Sequence, residues 1–176
     1  MNIARLLSVA CLMVGSAVAF GQKVSYDFDK SADFAQYKTY AWVTRGGDLK
    51  DELNHRRIVN AIDVQMSSKG LTKVSAGAKP DVLIDYKTTF SRSLNVSGYS
   101  SGFGGLRFAG SRTGSARADD IVVATLTVEL VDAKSNDVVW RGLATKDVDM
   151  GASPEKREKN INKAAEKLFK NYPPQK

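Results

Sequence analysis

The sequence predicts an α+β fold, an antiparallel sheet with two helices packed on one face, and three observations carry that reading. Strand-like patterning recurs in five stretches. Two others place apolar residues at helical spacing, and a glycine-rich segment forms a loop between two of the strands.

The strands come first. Val24, Tyr26 and Phe28 alternate with Ser25, Asp27 and Asp29, the period of a half-buried strand. Ser31 and Asp33 then supply turn chemistry. The aromatic-rich run Tyr37–Trp42 suits a pleated surface and ends before Gly46-Gly47. Beyond Pro80-Asp81, Val82, Ile84, Tyr86 and Phe90 face one way while Leu83, Asp85, Lys87 and Thr89 face the other. One sheet face is therefore apolar and the other largely wet. From Asp120 to Asp132 the pattern returns, with Val122, Ala124, Leu126, Val128 and Leu130 on one side. Ala133–Asn136 turns the chain, and Val138–Thr145 comes back as an antiparallel partner.

The helices follow from caps and spacing. Asp48 is the expected cap of a helix that runs to about Lys69 and stops at Gly70, with Ile58, Ala61, Ile62 and Met66 inward. Ser153 is a natural N-cap with Pro154 in the first turn, where its missing N–H costs nothing. Ile161, Ala164, Ala165, Leu168 and Phe169 then make a core-facing stripe, extended by Tyr172 and ended by Pro173-Pro174. Full burial of Ile161, Leu168 and Phe169 contributes about 1.5–3 kcal/mol each.

Residues 1–21 read as an export signal rather than as part of the fold. Arg5 gives a positive start, Leu6–Val14 an apolar run too short to span a bilayer, and small residues close it. Cleavage after Gly21 and cleavage after Ala19 both fit. Cys11 stands in a loose lipobox, SVAC, with Ser8 where an aliphatic residue is usual. The apolar run also continues past it, so Cys11 reads as an ordinary residue of the signal core.

Removing residues 1–21 takes away Arg5 and lowers the formal charge from +7 to +6. It also removes the sole cysteine, which excludes a disulfide scaffold, a zinc–thiolate site and a cysteine nucleophile. Residues 22–176 suit a single α+β domain, and no second apolar run is long enough to cross a membrane.

The residues support no catalytic, cofactor-binding or metal-ligating assignment. Six glycines at 98, 102, 104, 105, 110 and 114 suggest a phosphate-binding loop, but Arg107 stands where the dinucleotide fingerprint needs glycine. Arg107, Arg112 and Arg117 with Tyr99, Phe103 and Phe108 have the composition of a single-strand binder. An exported protein rarely meets nucleic acid, and a connector between strands is the better reading of 97–118. His55 sits beside a helix's apolar face and reads as structural. Asp119-Asp120, Asp147 and Asp149 lack calcium-ligand spacing, and no Gly-x-Ser-x-Gly elbow occurs.

One surface stands out. Lys156, Lys159, Lys163, Lys167 and Lys170 recur every three or four residues and share an exposed side of the last helix. Glu155 and Glu166, four residues before Lys159 and Lys170, compensate part of that charge. The side reads first as a solvated helix face; its functional reading is an anionic envelope partner, such as a phospholipid or lipopolysaccharide surface, at about 1 kcal/mol per well-placed lysine and weakened by salt.

Six runs then resemble one bacterial family in order: VSYDFDKSADFAQYKTYAW (24–42), KGL (69–71), PDVLI (80–84), LVD (130–132), VWRG (139–142) and FKNYPP (169–174). They are similar to domain of unknown function 4136. The resemblance implies exported, often lipid-anchored envelope proteins of α+β build, commonly with a glycine-rich insert, and no established catalytic residues. Asn136-Asp137 stands where that family usually has a glycine in the hairpin turn. Trp42 and Trp140 read as core aromatics and Asp132 as a turn residue.

These observations give an exported periplasmic or outer-membrane-associated protein whose expected role is non-catalytic binding of an envelope protein or an anionic envelope surface. A hydrolase of envelope polymers is the alternative from another class. A lipid-anchored structural factor with a membrane-facing lysine helix is the third.

Overall fold

The computed structural model describes residues 22–43, 51–75, 77–96 and 118–175. The signal-like segment 1–21, Gly46-Gly47 with Asp48, and the glycine-rich run 97–117 lie outside the described residues.

The chain forms β1 (Lys23–Phe28), a single 3₁₀ turn (Phe34–Gln36), β2 (Thr39–Trp42), α1 (Glu52–Ser68), β3 (Thr72–Lys73), β4 (Val82–Val96), β5 (Ala118–Asp132), β6 (Val138–Val148) and α2 (Pro154–Phe169). The strands make one sheet in the order β1-β6-β5-β4-β2-β3. The fold is α+β, with both helices on one face as the apolar patterning predicts.

Pairing at one edge differs from an all-antiparallel sheet. Along β1, β6, β5 and β4 each strand is antiparallel to its neighbour, but β2 runs parallel to both β3 and β4. The cause is α1, which carries the chain back along the sheet, so the next strand re-enters in the direction of β2. α1 also starts later than its expected cap. Asp51 is the N-cap, its carboxylate accepting from the Asn54 amide. Ser153 caps α2 as expected, with Pro154 in the first turn.

Register fixes which face is buried. Tyr40, Val82, Ile84, Leu126, Val128, Leu130, Trp140 and Ala144 point toward the helices and are buried. Ile58, Ala61, Ile62 and Met66 of α1 meet them, as do Ala164, Ala165, Leu168 and Phe169 of α2. Trp140 stacks on Phe169 with ring centroids 5.0 Å apart, and Tyr172 packs edge-on to both. Phe34, from the 3₁₀ turn, packs edge-on to Tyr172 and ties the loop after β1 into this cluster.

The two helices run the same way. Their first turns flank one end of the sheet, and at the other end Lys69 Nζ donates to the carbonyl of Lys170. β4 and β5 have 15 residues each, about 50 Å of strand, whereas α1 spans about 25 Å. The sheet therefore outruns its helices where they begin.

Candidate functional site

That overhang creates a groove of about 430 Å³ between the helix starts and the sheet. Its floor is the helix-facing row of three strands: Tyr86, Thr88 and Phe90 of β4, Ala124 and Leu126 of β5, and Ala144, Lys146 and Val148 of β6. Asn54, His55 and Ile58 form one wall, and Asn160, Ile161 and Ala164 the other. The alanines explain the space. Ala124, Ala144 and Ala164 bring no bulk where larger residues would close the layer.

The groove is mainly hydrocarbon, and its lip is exposed. Phe90 is 63% and Met150 64% accessible. Polar groups sit within it at defined points. His55 Nδ1 lies 2.6 Å from the Tyr86 hydroxyl, with the two rings stacked. His55 therefore anchors α1 to β4, the structural role its position suggests. Thr88 Oγ1 is buried with no hydrogen-bond partner among the described residues. Arg157 donates to the carbonyls of Ala152 and Met150, pinning the turn after β6 against α2.

Lys146 and Arg157 are the cations among the groove's lining residues, and Asp51 and Asp149 are its carboxylates. Lys146 Nζ donates to Asn160 Oδ1 at 2.6 Å, a neutral acceptor. Burial, and then the charges of Lys163, Lys156 and Lys167, hold its ammonium below the ordinary lysine value. The α2 lysines therefore extend their field into the groove.

The sequence-predicted lysines divide in two. Lys156 reaches back to Asp149 at 3.0 Å, an exposed pair that contributes little to stability. This hydrogen bond holds the Asp149 carboxyl below its usual range. Lys159, Lys163, Lys167 and Lys170 are exposed along α2. Lys146 was not among them, although period two from the buried Ala144 already places it on the helix side.

A second, polar cavity of about 330 Å³ lies at the opposite end, among Asp29, Asp33, Asp81, Asp132 and Asp137. Several of these carboxylates serve the backbone. Asp81 Oδ2 accepts from the Lys38 and Thr39 amides and the Thr39 hydroxyl. Asp132 Oδ1 accepts from the Lys134 and Ser135 amides, and its Oδ2 from Tyr37. These hydrogen bonds hold both acids below the usual carboxylate range. Asp29 accepts from Ser31, and Asp33 from the Ala35 amide and Gln36. They are loop-building residues. Among the described residues, no group of three or more His, Cys, Asp or Glu is placed to hold a metal ion. No described helix is long and apolar enough to cross a membrane.

A family model of a domain of unknown function (DUF4136) matches residues 24–174. The chain belongs to this family. A search of curated proteins gave no match. Among solved structures, a PDZ domain protein from Parabacteroides distasonis is similar over 87% of this chain, at 18% identity and a TM-score of 0.57. The alignment spans 36% of that protein, about a third of its length. PelC from Paraburkholderia phytofirmans, described as a dodecamer, aligns over 85% of this chain and 96% of its own at 11% identity and a TM-score of 0.49. A minor lipoprotein from Acinetobacter baumannii aligns over 77% of this chain and 91% of its own, at 12% identity and a TM-score of 0.41. At these identities the likeness to the first structure is one of fold. The DUF4136 chain therefore takes its functional reading from its own residues.

Proposed function

We propose that this DUF4136 protein is an exported, non-catalytic binding module of the cell envelope that engages an anionic component through the lysine side of α2. The observation that carries the reading is convergence of charge. Lys159, Lys163 and Lys167 stand exposed on one side of α2, and Lys146 of β6 reaches the same helix at Asn160 Oδ1, 2.6 Å away, so cations from two elements lie together. The signal-like segment 1–21 supports delivery to the periplasm or the outer membrane. The hydrolase reading has less to stand on, because Asp29, Asp81 and Asp132 of the polar cavity are engaged in shaping their own loops.

Binding to vesicles of anionic phospholipid tests this. Association is expected at low salt and fades as salt rises. Changing Lys159, Lys163 and Lys167 to Glu weakens it on the order of 100-fold, at about 1 kcal/mol per lysine. Unchanged vesicle binding by that triple variant would remove the lysine side from the mechanism.

A further inference from the structure

The groove has a chemistry that the lysine side alone does not explain. We propose that it is a binding site for a single-chain fatty acid, whose hydrocarbon lies over Phe90, Ala124 and Leu126 and whose carboxylate meets Lys146. This deepens the binding-module reading but rests on a different surface from the exposed lysines.

Three observations converge. First, the groove volume of about 430 Å³ lies within the roughly 300–1,000 Å³ of small-molecule sites. Its exposed lining is mainly hydrocarbon, with polar and charged side chains, among them Asp51, Lys146, Asp149 and Arg157, interspersed. Second, the apolar surface does not end at the wall. Phe90 and Met150 present exposed hydrocarbon at the lip, so a chain entering the groove meets apolar surface at its mouth as well as on its floor. Third, the charge is complementary. Lys146 Nζ donates to a neutral amide oxygen, while the two carboxylates that line the groove are engaged elsewhere, Asp149 with Lys156 and Asp51 at the start of α1. A carboxylate at Nζ supplies the missing counter-charge in a partly desolvated setting, where it counts for more than on an open surface. Asn160, whose Oδ1 accepts from Lys146, carries two amide hydrogens suited to the same carboxylate.

The cavity at the opposite end has a cation, Lys134, but it stands among five aspartates with little hydrocarbon around it, whereas the groove pairs its cations with a mainly apolar lining and two aspartates. Apolar length and a cation occur together at the helix starts.

The test titrates the protein, expressed without residues 1–21, with dodecanoate, octanoate and dodecanol below their aggregation limits, by calorimetry. One-to-one saturable binding of dodecanoate is expected. Octanoate, four methylenes shorter, binds on the order of 100-fold more weakly. Ala124→Phe fills the groove and Phe90→Asp charges its lip. Each weakens dodecanoate at least tenfold. Phe90 is exposed, so its variant keeps the fold if Ala124→Phe does not, and circular dichroism checks both. Lys146→Gln weakens dodecanoate about tenfold and leaves dodecanol unchanged. Absence of saturable dodecanoate binding, or binding indifferent to both groove variants, overturns the site. Equal loss of dodecanoate and dodecanol in Lys146→Gln overturns the carboxylate assignment. Loss of vesicle binding on lysine reversal with dodecanoate binding retained supports both surfaces separately. Vesicle binding indifferent to lysine reversal removes the lysine reading and leaves the groove supported by its own variants.

Discussion

The indole of Trp140 lies across Gly142, two residues further along β6. A Cβ placed on Gly142 would collide with Trp140 Cη2 and come within 2.8 Å of Leu168 Cδ2. The ring is held there from above by Phe169 at 5.0 Å. The glycine of the VWRG run therefore exists to seat the tryptophan of the same run, and α2 closes over both.

Gly142→Ala is accordingly expected to destabilise the fold by about 1–3 kcal/mol, the cost of overpacking a filled core. The intrinsic gain of replacing glycine within a strand is smaller. Urea denaturation followed by tryptophan fluorescence measures it. Equal or greater stability in the variant would show that the indole has room to move.

Asp63 of α1 joins helix to sheet through three partners. Its Oδ1 accepts from the Tyr40 hydroxyl at 2.8 Å and from Trp42 Nε1 at 2.9 Å, while Oδ2 meets Lys73 Nζ at 2.8 Å. Burial, reinforced by Asp63, pushes the Tyr40 hydroxyl above its ordinary value. Asp63→Ala leaves two part-buried donors without an acceptor and is expected to cost about 2–4 kcal/mol. Asp63→Asn keeps one acceptor oxygen and should cost roughly half as much. Thermal melts of the two variants rank them, and the reverse ranking would sink the hydrogen-bond account.

Asn136 shows how the hairpin turn is solved without glycine. Its φ is 61°, the left-handed region that asparagine tolerates better than most residues. The chain is held by Asn136 N donating to the Asp132 carbonyl. Asn136→Gly should shift stability by no more than about 0.5 kcal/mol, whereas Asn136→Val is expected to lose about 1–2 kcal/mol to backbone strain. Parallel denaturation curves decide this, and a valine variant as stable as the parent contradicts it.

The faces of the sheet were legible because burial on one side imposes a period of two. Val82, Ile84, Val128 and Leu130 announce it, and the α2 stripe from Ile161 to Phe169 announces its own period in the same way. The parallel edge was not legible. β2 has four residues and β3 only two, both exposed in β3, so neither carries a pattern that fixes direction. The start of α1 shifted from Asp48 to Asp51 because both aspartates offer cap chemistry, and the Asn54 amide meets Asp51. The exposed lysines were visible because one helix holds them all. The groove was not, because its lining comes from three strands and two helices brought together by register and by unequal lengths.

Acid should loosen the end of the molecule opposite the groove first. Asp81 clamps the start of β2 to the start of β4, and Asp132 closes the β5–β6 turn while accepting from Tyr37 across 95 residues of sequence. Backbone amides hold both carboxyls below their ordinary range. Such depressed groups contribute stability above the unfolded value of about 3.9, and that stability is lost as pH falls through their lower native values. Asp81→Asn is thus expected to be less stable than the parent by about 1–2 kcal/mol at neutral pH. The gap should close progressively below about pH 4, as the parent's own carboxylate is protonated. Denaturation midpoints for parent and variant between neutral pH and strong acid supply the check. A gap that stays constant across that range would mean that the carboxylate charge contributes nothing and that shape alone holds the two strands together.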